Sequence, residues 1–337
     1  ADWLATDLTL VAASGQMAAT GDRDRPPVRI SVPQTWCHAG AQAAVGALVA
    51  LEDRHHTGLG QHVDVSAQQA AAESAIPAIL HAPAGLAPVQ RVAGGAQFGS
   101  QLLKWVYRCA DGWTIITIAF GQMIGPKVAE FMQWVYEEGF CDEEIRDKNY
   151  VDLAIDIMEQ REPLEVLEQI IECVSQFALT KTKAELLERG LAEGWLLAPV
   201  SDLNDVLSSP QLAARHYWDE VDGEKHPGAI AKVEQAPLVS LGAAPSHGQH
   251  TAAIGAEART RTVTASASEA PDRRPLEGLK VCDLAWVAAA PLGTKILAHW
   301  GAEVVRVESV NRPCLLRQAL GHRDDIPDQE NAITWHS

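Results

Sequence analysis

LKVCDLAWVAAAPLGTKILAHWGAEVVRVE, residues 279–308, is the stretch of sequence that decides the fold. It opens with LKVCDLA (279–285), a near-continuous apolar strand, and closes with EVVRVE (303–308), a second strand. Between them PLGTKILAHWG (291–301) has the proline at its start and the glycine at its end that are typical of a helix. A strand, a helix and a strand with short connections indicate a parallel sheet, and therefore an α/β protein. The GxGxxG pattern of dinucleotide-binding domains is absent from it, so a dinucleotide site is only weakly indicated.

Composition narrows the class of protein. The chain has 337 residues, is 47% hydrophobic and carries a formal net charge of −17, so it can bury a sizeable core. Nucleic acids and anionic membrane surfaces would repel that charge. Because the sequence has no apolar run of membrane-spanning length and no leader-like opening, we expect a cytoplasmic protein. The chain opens with Ala1 rather than Met and stops at TWHS in mid-pattern, so we expect a piece of something longer.

Neither the cysteines nor the histidines are spaced as metal ligands. The six cysteines are far apart and are expected to be reduced thiols, most of them packed. His55 and His56, at a predicted helix end, and His247 and His250 have no Cys or carboxylate that completes a ligand set. We therefore expect no metal.

Local patterns predict the remaining elements. Residues 39–56 are apolar almost all round a helical wheel, which predicts a helix buried on most sides and ended by Gly58. Other predictions are strands at 28–32 and 61–66, a glycine-rich loop at 93–100, a hairpin at 105–119, helices over 126–179 and a capping box from Thr182 to Glu185. Residues 256–274 are poor in aromatics and rich in Ala, Thr, Ser and Arg, which predicts a linker.

Several of these strings are similar to one family. PLEGLKVCDLAWVAAAPLGTKILAHWGAEVVRVES (275–309) resembles the opening of a class III, or CaiB/BaiF-type, CoA-transferase. PPVRISV, GALVALEDRHHTGLGQHVDVS, YRCADGW and APVSDLNDVLSSPQLAAR resemble later parts of the same family, up to its closing segment. The resemblance implies a Rossmann-like large domain with a smaller α+β domain, here at roughly 90–195.

The order of these strings is reversed relative to the family. The closing segment (195–221) precedes the opening motif at 275. A circular permutation is one explanation, and a tandem fusion cut at both ends is the simpler one. On the second explanation, residues 1–255 are the later part of a first repeat, and 275–337 begin a second repeat with its CoA-binding β-α-β unit.

The chemistry implied by the resemblance needs an aspartate. In the family its carboxylate attacks an acyl-CoA thioester, and the expected position in this chain is Trp36. An indole has one N–H donor and no nucleophilic oxygen. Cys37 is the nearest nucleophile, but adjacent helical residues point about 100° apart, so we interpret it as a packed thiol and His38 as a helix-end hydrogen-bonding residue.

Racemases of the same family offer a second chemistry. They resemble the transferases in fold and use a histidine, the same aspartate and a glutamate as acid and base. The histidine position corresponds to Thr6 and the glutamate position to Gly121. The first repeat is therefore predicted to lack catalytic residues for both reactions.

The resemblance also implies a coenzyme A site. The small-residue turn at Val287, Ala288 and Ala289 and the residues Glu308 and Ser309 correspond to the family's CoA-nucleotide platform, and Gly94–Gly95 to a loop that covers the active site. Plain close packing or a surface turn explains these small residues equally well.

Three functional hypotheses result. The first is an acyl-CoA:carboxylate CoA-transferase whose chemistry resides in the second repeat, with coenzyme A as the cofactor, and an acyl-CoA and a carboxylic acid acceptor as partners. The others are a racemase or isomerase of the family and a non-catalytic acyl-CoA-binding scaffold. The family resemblance implies either an interlocked homodimer or pairing of the two repeats within one chain.

Overall fold

The fold is α/β, as the sequence predicts. It is known from a computed structural model that describes residues 4–86, 88–98, 101–236, 242–256, 273–311, 314–317, 323 and 332. These residues fall into two compact units, the first from 1–94 and 263–337 and the second from 95–262. Most of the predicted linker, residues 257–272, lies outside the described part of the chain.

The first unit combines the beginning and the end of the chain. Its helices are α1 (Asp7–Ala13), α2 (Thr35–Thr57), α3 (Ala67–Glu73), α4 (Ile76–His81) and α13 (Ala289–His299). Its strands are β8 (Lys280–Asp283) and β9 (Glu303–Arg306), which pair in parallel on either side of α13. The predicted β-α-β unit is thus confirmed. Two short 3₁₀ turns, Met17–Ala19 and Leu315–Arg317, complete the unit.

Packing between the two ends of the chain is carried by a small apolar cluster. Val49 of α2 is buried together with Leu276 and Ala302, and Leu297 of α13 packs against them. The Nζ of Lys295 lies 3.6 Å from a carboxylate oxygen of Glu73. Segments separated by about 200 residues of sequence therefore share one core.

Two predictions for the first unit are wrong. Residues 28–32 and 61–66 are not strands, because the ladder described in this unit contains only β8 and β9 and leaves them without a partner strand. Helix α2 ends at a left-handed Gly58 as predicted, but it is not buried on most sides, since Leu48 is 66% exposed. Among the described residues α2 contacts α1 and α3 and, through Val49, the cluster with Leu276 and Ala302.

The second unit is built around helices and short antiparallel strands. Its helices are α5 (Gly125–Glu137), α6 (Glu143–Arg146), α7 (Leu153–Met158), α8 (Val166–Leu179), α9 (Lys183–Glu193), α10 (Leu203–Leu207), α11 (Pro210–Ala214) and α12 (Thr251–Ala256). Its strands are β1 (Gly95–Phe98), β2 (Gln101–Lys104), β3 (Val106–Cys109), β4 (Gly112–Ile116), β5 (Leu197–Pro199), β6 (Trp218–Val221) and β7 (Glu224–Pro227). The antiparallel order β3-β4-β5 forms the central sheet.

Local signals predicted this unit well. The hairpin at 105–119 forms as β3 and β4, and the stretch 126–179 is largely helical. Thr182 and Glu185 make the predicted capping box at the start of α9, with the backbone N–H of Glu185 bonded to the Thr182 hydroxyl at 3.2 Å. These contacts lie within a few residues in sequence, so the sequence pattern is enough to specify them.

An aromatic cluster forms the centre of the second core. Phe177 of α8 is fully buried, and its ring centroid lies 4.6 Å from that of Trp134 and 5.7 Å from that of Phe131. Trp195 stacks on Trp134 at 5.6 Å, and the Arg189 guanidinium lies 4.5 Å from the Trp134 ring. Edge-to-face and stacked rings of this kind add to the free energy of ordinary apolar burial.

In the described parts of the chain we find no helix long and apolar enough to cross a membrane.

Candidate functional site

The beginning of α2 contains Trp36, the position at which the family resemblance predicts a nucleophilic aspartate. Gln34 precedes the helix without capping it through its side chain. Asp7, the first residue of α1, caps it instead: its Oδ1 accepts the backbone N–H of Thr35 at 3.0 Å, and its Oδ2 lies 3.1 Å from Arg29 Nη1. The Asp7 side chain is only 11% exposed, so both oxygens of this carboxylate are occupied by contacts that stabilise the beginning of α2.

Trp36 follows directly, and its side chain is 49% exposed. The indole therefore lies half-exposed in the first turn of α2. Its correspondence to the family's aspartate stays a prediction. Cys37 is exposed, and its thiol donates to the carbonyl oxygen of Pro33 at 3.3 Å. The prediction of a packed thiol is therefore wrong for Cys37, which is exposed although its Sγ has this one hydrogen-bond partner.

Thr6 and Gly121, the positions of the racemase residues, have local structural contacts. Thr6 caps α1 in a reciprocal arrangement with Thr9, whose backbone N–H lies 3.3 Å from the Thr6 hydroxyl. Gly121, in the second unit, has a φ of +98° and donates its N–H to the carbonyl oxygen of Val151 at 2.9 Å. Neither residue carries an acid or a base.

The glycine pair at 94–95 is divided between a turn and a strand. Gly94 has a left-handed φ of +77°, whereas Gly95 begins β1 and pairs with Lys104 of β2. A Cβ at Gly95 would lie 2.1 Å from the carbonyl oxygen of Leu103, so close strand pairing requires glycine there. The predicted loop at 93–100 is therefore partly a strand. Its proposed covering of an active site stays a prediction.

The turn after β8 has the features of a backbone that can contact a ligand. Val287 has a left-handed φ of +66°, and Ala288 is the N-cap of α13, where no side chain caps the helix. Ala289 is the first helical residue. The first backbone N–H groups of a helix are good donors to an anion, and small side chains leave them accessible.

Glu308 is held by protein groups. Its Oε1 accepts the backbone N–H of Cys314 at 2.5 Å, and its Oε2 lies 2.9 Å from Arg317 Nε. Partial burial acts to raise the pKa of this carboxyl, but the Cys314 N–H and the Arg317 guanidinium outweigh it and hold the pKa below the usual value. Ser309 accepts the N–H of Asn311 at 3.2 Å. In this structure Glu308 thus folds 314–317 against the end of β9.

This pKa shift predicts a pH dependence. Because the pKa of Glu308 is lower in the folded than in the unfolded chain, its contribution to stability is present above the unfolded value near 4.5 and is lost as the pH falls through the folded value. We expect Glu308→Gln to lower the free energy of unfolding by about 1 kcal/mol at pH 7 and to have a shrinking effect below pH ~4.

Urea unfolding followed by circular dichroism across this pH range tests the prediction. Glu303→Gln, which removes an exposed carboxylate at the opposite end of β9, is the control. A constant difference between wild type and Glu308→Gln from pH 7 to pH 3 would contradict the assigned role.

Of the histidines singled out in the sequence, His56 has a carboxylate close by. His56 lies 3.6 Å from Glu52 on α2, a contact within one turn of helix. Over the described ranges, no group of three or more His, Cys, Asp or Glu residues is arranged to hold a metal ion.

A cleft in the first unit was missed by the sequence analysis. It has a volume of about 370 Å³ and lies between α2, the segment 61–66 and α13. Its lining joins residues from both ends of the chain, among them Gln42, His62, Asp64, Glu73, His299 and Trp300. The apolar positions of α13 indicate a packed helix face in the sequence, but they do not indicate which segment packs against it.

Comparison with known proteins assigns the family. The sequence model described as "CoA-transferase family III" matches residues 1–251 and 276–333. The chain belongs to CoA-transferase family III. The two matched segments include the strings quoted above from both parts of the chain, so the resemblance is confirmed.

Named relatives show how much of a family member is present. The chain is 30% identical over 262 residues to the succinyl-CoA:(R)-benzylsuccinate CoA-transferase subunit BbsE of Thauera aromatica, covering 74% of this chain and 60% of that protein. It is 27% identical over 323 residues to a probable CoA-transferase of Mycobacterium tuberculosis, covering 94% of this chain and 38% of that protein. The chain therefore spans less than two thirds of the length of each of these relatives.

Solved structures support the fold. A CaiB/BaiF family protein from Brucella suis superposes with a TM-score of 0.58 at 20% identity, covering 74% of this chain and 62% of that chain. At this identity the likeness extends to the fold alone.

Proposed function

We propose that this chain binds acyl-CoA and is part of a protein that transfers CoA from an acyl-CoA to a carboxylic acid. The observation that carries the proposal is the family match over residues 1–251 and 276–333. Relatives are named for transfer from succinyl-CoA to benzylsuccinate and from formyl-CoA to oxalate. CoA and carboxylates are common to these names, so the proposed substrate class stops there.

We further propose that residues 1–255 are the later part of a first, catalytically silent copy and that 275–337 begin a second copy, joined by the linker 256–274. Trp36 is the residue that supports a silent first copy, since an indole cannot form an acyl anhydride. The reaction would then depend on an aspartate of the second copy.

One observation supports a tandem arrangement over a circular permutation. The division of the family match into two segments fits both arrangements. The probable CoA-transferase of Mycobacterium tuberculosis matches 94% of this chain, including both sides of the linker, and this match covers only 38% of that longer protein. A longer protein with the same order of segments is what a tandem arrangement predicts.

Pairing of the two copies within one chain is the proposed reason for keeping a silent copy. The opening segment of the second copy shares the cluster of Val49, Leu276 and Ala302 with α2 of the first. An interlocked homodimer is the alternative arrangement. In either arrangement the silent copy supplies packing contacts and one wall of the site, and it supplies no nucleophile.

Two alternatives remain distinguishable by experiment. A racemase of the same family would need acid and base residues where this copy has Thr6 and Gly121. A binding protein without chemistry would retain the turn at 287–289 and lack a nucleophile in both copies.

Calorimetric titration with CoA, followed by incubation with succinyl-CoA and hydroxylamine, tests the proposal. We expect CoA to bind this chain and mass spectrometry to find no hydroxamate on the protein, because hydroxylamine leaves one there only at a side-chain carboxyl that has become an anhydride or a thioester. Absence of CoA binding would contradict the proposed function. A hydroxamate on this chain would contradict the silent first copy alone.

A further inference from the structure

The turn between β8 and α13 is held in a strained conformation. Val287 has a φ of +66°, and a β-branched residue rarely adopts this left-handed region. Strained residues persist where the surrounding structure determines them, and they are frequent where a ligand binds. The groups that hold this turn therefore indicate how its shape is maintained.

Asp283 provides two of the constraints. Its side chain is buried, with the residue 4% exposed. Its Oδ1 accepts the backbone N–H of Ala285 at 2.8 Å, and its Oδ2 accepts the Thr294 hydroxyl at 2.9 Å. One carboxylate thus connects the end of β8, the turn and the second turn of α13.

Residues beyond β8 and α13 constrain the other side of the turn. Arg306 at the end of β9 has its Nη2 3.5 Å from the carbonyl oxygen of Ala285 and 3.1 Å from the Sγ of Cys314. Cys314 is fully buried, and its Sγ lies 3.9 Å from the carbonyl oxygen of Val287. The carbonyl groups of Ala285 and Val287 therefore both contact side chains, while the N–H groups at the start of α13 have no side-chain cap.

We propose that Thr294, acting through Asp283, is a positioning residue that holds the Val287 turn in the shape that receives coenzyme A. This inference rests on the proposed function and on the resemblance of residues 287–289 to the family's CoA-nucleotide platform. A backbone that is already in its bound shape loses less entropy on binding, so the affinity for the ligand is higher.

The Thr294 hydroxyl has one hydrogen and two acceptors within reach. The carbonyl oxygen of Pro291 lies 3.1 Å away, and the Asp283 carboxylate is nearer at 2.9 Å. A bond to a charged acceptor is the stronger of the two. Removal of the hydroxyl leaves a buried carboxylate oxygen without this donor, and the carboxylate then holds Ala285 less firmly.

Three variants test the inference. Thr294→Val removes the hydroxyl at nearly constant volume, and Thr294→Ser retains it. Thr57→Val is the control, since Thr57 donates to the carbonyl oxygen of Asp53 at the end of α2, in the same unit. Each protein is titrated with CoA at a temperature at which circular dichroism shows it fully folded. We expect CoA to bind Thr294→Val about tenfold more weakly than wild type, and the other two variants within about twofold.

A rescue experiment separates positioning from general stability. Glycine adopts a φ of +66° without steric cost, so Val287→Gly removes the strain that Thr294 and Asp283 offset. We expect Val287→Gly combined with Thr294→Val to recover most of the lost CoA affinity. A variant that is merely less stable would not recover it in this way.

The outcomes separate this inference from the function on which it rests. If wild type fails to bind CoA, the proposed function fails and the inference with it. If wild type binds CoA and Thr294→Val binds equally well, the inference alone is wrong. Equal weakening by Thr294→Ser, or no recovery in the double variant, would also overturn it.

Discussion

Trp36→Asp is expected to give a chain that an acyl-CoA acylates at position 36. The carboxylate oxygen would attack the thioester carbon, the C–S bond would break, and CoA would leave as the thiolate, which gives an acyl-aspartyl anhydride. An aspartate in the first turn of α2 is favoured in its ionised form by the helix dipole. Since Trp36 is half exposed, its replacement leaves no cavity in the core.

Mass spectrometry after incubation with succinyl-CoA and hydroxylamine measures this gain. We expect a hydroxamate at position 36 in most molecules of Trp36→Asp and none in wild type. Trp36→Asn, which has the same shape as the aspartate variant but no nucleophilic oxygen, is the control and should stay unmodified. If Trp36→Asp binds CoA as tightly as wild type and is not acylated, then position 36 does not correspond to the family's nucleophile.

Phe177→Ala is expected to give a large loss of stability. Phe177 is fully buried, and its ring contacts those of Trp134, Phe131 and Phe140 at centroid distances of 4.6, 5.7 and 5.9 Å. Truncation of a buried Phe to Ala removes apolar burial and leaves a cavity, at a cost of about 3–5 kcal/mol. Urea unfolding monitored by circular dichroism measures the change.

Two controls show that this cost comes from the cavity. Phe177→Leu keeps most of the volume and is expected to cost about 1–1.5 kcal/mol. Leu179→Ala, at a position on the same helix that is 45% exposed, should cost about 0.5 kcal/mol. A loss below 1 kcal/mol for Phe177→Ala would show that the aromatic cluster does not hold the second unit together.

Elements defined by short-range contacts could be predicted. The capping box at Thr182, the hairpin of β3 and β4, and the β-α-β unit of β8, α13 and β9 all form where their sequence patterns indicate. In each case the stabilising contacts join residues near in sequence, or depend on a hydrophobic pattern that one segment carries by itself. The same holds for Gly58, whose left-handed conformation ends α2.

Elements that need a distant partner could not be predicted. The segments 28–32 and 61–66 have the alternation of strands and yet have no ladder partner in the described structure. Helix α2 has apolar residues on most faces, but only Thr35 and Val49 are buried. An apolar pattern states what a segment is able to bury, whereas its actual burial depends on which other segments reach it.

For the candidate site, the sequence by itself determined which chemical groups stand at the positions of interest. It determined that an indole stands at position 36, that positions 6 and 121 carry no acid or base, and that a small-residue turn precedes α13. Only the tertiary structure decided that Asp7 caps α2, that Glu308 is bound by Cys314 and Arg317, and that Asp283 joins Thr294 to a strained Val287. The physical reason is that a residue type determines which bonds a side chain can form, while the chain's path in space determines which partner lies within hydrogen-bonding distance.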